Sequence, residues 1–232
     1  MTTVALVLAG GRGQRVAGEK PKQFLRLEGR PLLYYSLQAF EGLAGVSSIA
    51  VVVPPEYAQI VQVRMDLKRF GKVKAIVAGG RLRQDSVMNG LDALPEGVQY
   101  VIIHDGARPF PPMDATTRAL EAARECGAAI LALPLTDTVK MGDDQGFISQ
   151  TLNRNHIWLA QTPQVFRRDI ILEAYQKVRQ KGIEVTDDAG AVEAIGKPVR
   201  LIQGSSCNIK VTVKEDFGVA IQILHRLGEG TS

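Results

Sequence analysis

Short apolar runs rich in Val, Ile, Leu and Ala recur along the chain, at Val4–Leu8, Ile49–Val53, Val73–Val77, Tyr100–Ile103, Ala128–Leu133 and Val199–Ile202. Each is short and almost continuously apolar, the pattern of a strand buried on both faces. Between them, Pro31–Phe40, Glu56–Phe70, Gln84–Leu94, Asp114–Cys126 and Arg168–Lys181 read as helices. Pro31 suits a first helical position and Asp114 an N-cap. The β-α-β-α alternation predicts an α/β fold, Rossmann-like, with a mostly parallel twisted sheet and helices on both faces. Ligands in that architecture bind beyond the carboxyl ends of the strands, so chemistry is sought there.

One stretch breaks the alternation. Residues 137–158, DTVKMGDDQGFISQTLNRNHIW, are polar, with turn signals at Gly142-Asp143 and Gln145-Gly146. Thr138–Met141 and Phe147–Leu152 are expected to pair as a hairpin that protrudes as an arm, having few apolar residues to fold back on a core. The rest shows no linker, repeat or low-complexity segment, so one domain over 1–232 is expected, with a loose tail after Gly228.

Composition changes the picture only at the margins. The 232 residues are 45% hydrophobic and 22% charged, ordinary for a soluble globular protein. A formal charge of +4 without a basic stripe, and 6% aromatic content, point away from nucleic acid as a partner. No apolar run approaches the about 18 residues that would span a bilayer. The apolar N-terminus lacks a basic leader and a small-residue cleavage pattern, and reads as a strand. Two cysteines, Cys126 and Cys207, give neither a disulfide framework nor zinc spacing, so a cytoplasmic location is expected.

The first strand runs into LAGGRGQRVAGEKPKQF, Leu8 to Phe24. G-x-G-x-x-G fails because Val16 stands where the third glycine belongs. The Walker pattern fails because Glu19 follows Gly18 where a lysine is needed. A glycine turn behind a strand still lets backbone N–H groups approach phosphate oxygens, and Arg12, Arg15, Lys20 and Lys22 add charge from side chains. The loop therefore reads as a polyphosphate site, against the alternative of a solvated surface turn. At the end of a later strand, Asp105 in IIHDGARPF is either a Mg²⁺ ligand or an acid that caps the turn or pairs with Arg108. His104 faces the other way by strand period and reads as structural. In AGGRLRQDSV, small residues allow close approach to a flat ligand, and Ser86 sits near a helix start.

Six motifs in order, LAGGxGxR…PKQF, GGxxRQDSV, HDGARPF, RNxxWxAQTPQVF, VTDDAGAVE and NIKVT, resemble the 2-C-methyl-D-erythritol 4-phosphate cytidylyltransferases of the non-mevalonate isoprenoid pathway. The resemblance extends from Leu8 to about Thr212. The first motif is shared with sugar-nucleotide pyrophosphorylases, and the later ones narrow it. The resemblance implies a nucleotidyltransferase fold, CTP and a polyol phosphate as substrates, Mg²⁺ as cofactor, and a homodimer that exchanges its arms. It implies that Gly11, Gly13, Arg15 and Lys22 hold the triphosphate, joined by Lys210, with Arg15 and Lys22 also stabilising charge at the α-phosphorus. Gly80 and Ser86 would read cytosine, and Asp105 would ligate Mg²⁺. Thr186 and Asp187 would lie near the acceptor, with Thr138 and Arg154 supplied over the neighbour's site.

Three positions depart from some members. Gly10 replaces an alanine, Arg81 stands where an acidic residue can flank the base, and Cys207 stands where an aspartate occurs. No role is carried over to Arg81 or Cys207. An acceptor phosphate is already an anion, which agrees with the absence of a nucleophile elbow or a metal-spaced His pair. Rival readings are a cytidylyltransferase for ribitol 5-phosphate, a nicotinamide-dependent dehydrogenase and a nucleotide sensor without turnover. The missing third glycine counts against the dehydrogenase, and the presence of Arg15, Lys22 and Asp105 counts against the sensor.

Overall fold

The computed structural model describes residues 1–10, 22–59, 61 and 67–229. The chain opens with β1 (Thr3–Leu8) and, after the glycine-basic loop, a small hairpin of β2 (Arg26–Leu27) and β3 (Arg30–Pro31). Then come α1 (Leu32–Gly42), β4 (Ser48–Val53), β5 (Val73–Ala78), α2 (Arg83–Asp92), β6 (Tyr100–Asp105), α3 (Met113–Cys126) and β7 (Ala128–Pro134). The hairpin β8 (Val139–Gly142) and β9 (Ile148–Leu152) follows. The chain then forms β10 (Trp158–Arg167), α4 (Arg168–Lys181), α5 (Asp188–Glu193), β11 (Arg200–Gln203) and α6 (Asp216–Glu229).

Among the described residues the main sheet has seven strands in the order β11-β7-β10-β6-β1-β4-β5. Pairs β1–β4, β1–β6, β4–β5 and β7–β11 are parallel, while β10 runs antiparallel to both β6 and β7. The sheet is mostly parallel, as the alternation predicts. Strands β1 and β6 are buried along their whole length, in keeping with apolar runs covered on both faces. One face packs Val7, Ile102 and Val165 against Leu37 and Phe40 of α1 and Ala119 of α3. The other packs Leu6, Ile103 and Phe166 against Leu91 of α2, Ile171 and Tyr175 of α4, and Val192 of α5. A small third cluster, Leu27, Leu32, Val211 and Ala220, fastens α6 to the β2–β3 hairpin.

Local chemistry adjusts several expected boundaries. Pro31 is the residue before α1 and not its first, because it completes β3 with an extended ψ of 145°. Asp114 is not an N-cap. Pro112 holds that place, and Asp114 sits in the first turn, where its charge favours the positive end of the helix dipole. Of the expected helix over 56–70, the described residues include 3₁₀ turns at Pro55–Tyr57 and Leu67–Arg69, and much of the stretch between lies outside them. Helix α6 runs to Glu229, so Gly228 is helical; residues beyond lie outside those described.

The expected hairpin forms. β8 and β9 pair in their own two-stranded sheet, and residues 140–151 are all exposed. Asp143 organises the turn, its Oδ1 accepting from the Gln145 and Phe147 amides at 3.0 and 2.8 Å. Phe147, Ile148 and Met141 are exposed apolar residues on this hairpin.

Gly90 marks the tightest approach of helix to sheet. A Cβ there would lie 2.5 Å and 2.7 Å from the two methyls of Leu6, which is itself fully buried on β1. Gly90→Ala gains up to about 1 kcal/mol of helix propensity but overpacks a filled site, at about 1–3 kcal/mol. A net loss of about 1 kcal/mol is expected in chemical denaturation. Unchanged or increased stability would show that Leu6 can yield.

Candidate active site

The carboxyl ends of the parallel strands are laced together by main-chain bonds. Ala9 N–H donates to Val52 O, Gly79 N–H to Val53 O and Gly106 N–H to Leu8 O, at 2.7, 2.7 and 2.8 Å. This places three sequence motifs along one sheet edge. Ser86 joins two of them. Its buried hydroxyl accepts from Gly80 N–H at 3.0 Å and donates to Leu82 O at 3.2 Å. A Cβ on Gly79 or Gly10 would approach that same oxygen to 3.0 or 3.1 Å. A Cβ on Gly80 would strike Asp85 Cβ at 2.3 Å. Both loops thus pack tightly against one serine at the start of α2, and at Gly80 the approach to Asp85 leaves no room for a side chain. Asp85 supports the turn by accepting from Leu82 N–H at 2.9 Å.

At the end of β6, Asp105 receives two cations. Arg83 Nε donates to Oδ1 at 3.2 Å and Lys210 Nζ to Oδ2 at 2.7 Å. Asp105 does not pair with Arg108, whose Nη1 instead donates to Asn208 O at 2.7 Å. Burial by itself would raise the Asp105 pKa, but the Arg83 and Lys210 charges outweigh it and hold the carboxyl well below the usual carboxylate range. Arg83 turns its other two nitrogens to Asp188, Nη1 to Oδ1 at 2.9 Å and Nη2 to Oδ2 at 2.7 Å. Asp188 is fully buried and also accepts from Tyr175 OH at 2.6 Å. Desolvation works against the Arg83 charge, yet Asp188 and Asp105 more than offset it and its pKa rises. Burial first, then the Asp188 charge, pushes the Tyr175 hydroxyl up.

Behind Asp105 lies a second polar layer. His104 Nε2 lies 2.9 Å from Arg108 O, and since a carbonyl only accepts, Nε2 carries the proton. Nδ1 then accepts from Thr162 Oγ1 at 3.2 Å, and Thr162 Oγ1 accepts the Asp105 amide at 3.0 Å. His104 is fully buried, edge-on to Phe40, and its role is structural as expected. The segment bearing Lys210 is held by Val211 N–H to Ala107 O at 2.9 Å and by Asn208 Nδ2 to Thr162 O at 2.8 Å. NIKVT and HDGARPF thus become neighbours.

Ser86, Gly80, Asp105 and Lys210 therefore share this sheet edge. Gly11, Gly13 and Arg15 lie outside the described residues, and Lys22 begins a 3₁₀ turn, Lys22–Phe24. Thr186 is exposed at the entrance to α5. Asp187 is the N-cap of that helix, Oδ1 accepting from Gly190 N–H at 2.9 Å and Oδ2 from Gln164 Nε2 at 2.8 Å. Thr138 and Arg154 belong to the hairpin region; Arg154 is exposed and donates to the Thr136 carbonyl. Arg81 is exposed, and Cys207 N–H donates to Ser205 Oγ.

Arg83, Asp188 and Tyr175 were not singled out by the sequence. Arg83 stands in RQDSV and Asp188 is the second acid of TDD, so motif membership alone could have flagged them. Their pairing across 105 positions has no local signal. Tyr175 reads as one more apolar position of α4.

Comparison with known proteins agrees with the site's motifs. The family described as 2-C-methyl-D-erythritol 4-phosphate cytidylyltransferase matches residues 3–226. A protein of that name from Desulforamulus reducens is 44% identical over 225 residues, covering 96% of each chain. One from Pelotomaculum thermopropionicum is 46% identical over 222 residues, 95% of this chain and 93% of the other. Among solved structures, 4-diphosphocytidyl-2C-methyl-D-erythritol synthase from Anaerococcus prevotii aligns with a TM-score of 0.86 at 29% identity, covering 97% of this chain and 96% of that one. The cytidylyltransferase from Thermus thermophilus aligns with a TM-score of 0.77 at 32% identity, over 96% and 98%.

Burial lowers the His104 pKa from 6.5 to about 4. The folded chain then binds fewer protons than the unfolded chain between those values, so stability is full above pH 6.5 and falls as pH drops toward 4. Asp105 acts in a lower window, below its unfolded value of 3.8. Denaturation across pH 6.5 to 4 should show a His104-dependent loss on the order of 3 kcal/mol, absent in His104→Gln. An equal slope in the variant would mean His104 charges freely within the fold.

Proposed function

Because the chain belongs to the 2-C-methyl-D-erythritol 4-phosphate cytidylyltransferase family, we propose that it transfers CMP from CTP to that acceptor and releases pyrophosphate. The observation that carries the proposal is the ionised Asp105 beside Lys210, at the strand edge where Ser86 closes two glycine loops. A phosphate oxygen of the acceptor attacks the α-phosphorus in line, its anion needing no general base. The protein's task is to hold two anions together and offset their charge, which is positioning and electrostatics.

Asp105 suits Mg²⁺. It offers a hard anionic oxygen, and Mg²⁺ commonly takes one or two carboxylates, completing its shell with phosphates and waters. Among the described residues no group of three acidic, His or Cys side chains offers an all-protein cage, which agrees with a metal shared with substrate. When bound there, Mg²⁺ would offset phosphate charge. Arg15, Lys22 and Lys210 take the triphosphate, with Gly11 and Gly13 allowing close backbone approach. Gly80 and Ser86 form the narrow slot for cytosine. The proposed acceptor side comprises Thr186 and, from a second copy, Thr138 and Arg154. Asp187, with both oxygens committed, contributes by fixing the start of α5 beside Thr186.

A homodimer with exchanged arms is part of the same proposal. It is supported by the exposed hairpin, whose Phe147, Ile148 and Met141 have little to cover them in one chain. The described residues contain no helix long and apolar enough to cross a membrane. A cytoplasmic enzyme of small anionic substrates fits this chemistry.

Pyrophosphate release from CTP should require both Mg²⁺ and methylerythritol phosphate, cease in EDTA, and be far slower with ribitol 5-phosphate. Equal turnover of ribitol 5-phosphate would overturn the acceptor, and activity in EDTA would overturn the metal.

A further inference from the structure

The two cations on Asp105 are held very differently. Arg83 is tied by a bidentate pair to the fully buried Asp188, which Tyr175 also engages. Withdrawing Arg83 from that pair would leave a buried carboxylate without its partner, so its bond to Asp105 Oδ1 is fixed in place. Among the described residues Lys210 has no such anchor. Its side chain is 42% exposed, against 29% for Arg83, and among the described residues its ammonium meets Asp105 Oδ2. A flexible four-carbon stem carries that ammonium.

Oδ2 is therefore the exchangeable oxygen of the site. An ammonium at 2.7 Å and a divalent cation on the same oxygen would stand in close like-charge repulsion, even though that oxygen has two lone pairs. Resting on the proposed metal-assisted transfer, we infer that Lys210 is a place-holder for the metal on Asp105, moving onto the nucleotide's phosphates as the metal takes Oδ2. Among the described residues Asp188 offsets Arg83 and Lys210 offsets Asp105, so these four charges sum to zero. A divalent cation arriving alone would have to displace the ammonium into water, with no new anion to replace the bond lost to Oδ2. Arriving with a triphosphate, it brings the anion that receives the displaced ammonium. Metal and nucleotide thus bind together, and the free enzyme holds divalent metal weakly.

The test is Mn²⁺ binding to nucleotide-free protein, followed by the loss of the free-ion electron paramagnetic resonance signal. Lys210→Met and Lys210→Gln should each bind Mn²⁺ roughly tenfold or more tightly than wild type, the size expected from removing one charge-assisted hydrogen bond. The gain should vanish when Asp105→Asn is added, which locates it at this carboxylate. Equal binding by wild type and both Lys210 variants would overturn the inference, as would a gain that survives Asp105→Asn. Wild-type pyrophosphate release from CTP, measured separately, reports on the proposed function itself, so failure of one is distinguishable from failure of the other.

Discussion

The Asp188 carboxylate lies fully buried beneath the sheet edge and meets Arg83 in two near-parallel hydrogen bonds, with Tyr175 OH as a third donor. Bringing two charges out of water costs several kcal/mol per ion, and breaking such a pair by removing one partner costs about 3–5 kcal/mol. The pair is thus a weak source of net stability and a strong constraint on geometry. It joins α5 to the start of α2 and fixes where Arg83 Nε reaches Asp105. Asp105 in turn receives Lys210 from a segment held against the Ala107 carbonyl. Four distant parts of the chain converge through one chain of charges.

The packing beneath that chain tolerates little change. Gly10 and Gly79 lie tight against Ser86, and Gly80 approaches Asp85 so closely that a side chain would enter occupied space. Gly90 does the same between α2 and Leu6. The parallel strands bring the motifs to one edge, and the glycines let the loops close over it. His104, Thr162 and Asn208 supply the buried polar layer that holds the Asp105 backbone from behind.

Much of this was readable in the sequence because the signal was local. The runs Val4–Leu8 and Ile49–Val53 announce buried strands, and Gly142-Asp143 with Gln145-Gly146 announces the hairpin that forms. Asp105, Gly80, Ser86 and Lys210 sit in motifs whose family was legible, and they do meet at one edge. Strand β10 was not legible. Gln161, Thr162 and Gln164 are buried polar residues whose partners come from other elements, so they break the apolar pattern of a central strand. Helix α5 is too short, at six residues, to show a period. The Arg83–Asp188 pair was missed for the same reason as β10: its partners meet only through tertiary structure. Arg15, Gly11 and Gly13 rest on the family's motif alone, since they lie outside the described residues.

A double-mutant cycle of Arg83→Met and Asp188→Asn, read by chemical denaturation, tests most directly whether these residues act as one unit that sets Asp105. Each single change should be strongly destabilising, because each strands a buried group. Together they should cost less than the sum, by about 1–3 kcal/mol. Additive losses would contradict the account, since Asp188 would then act on something other than Arg83.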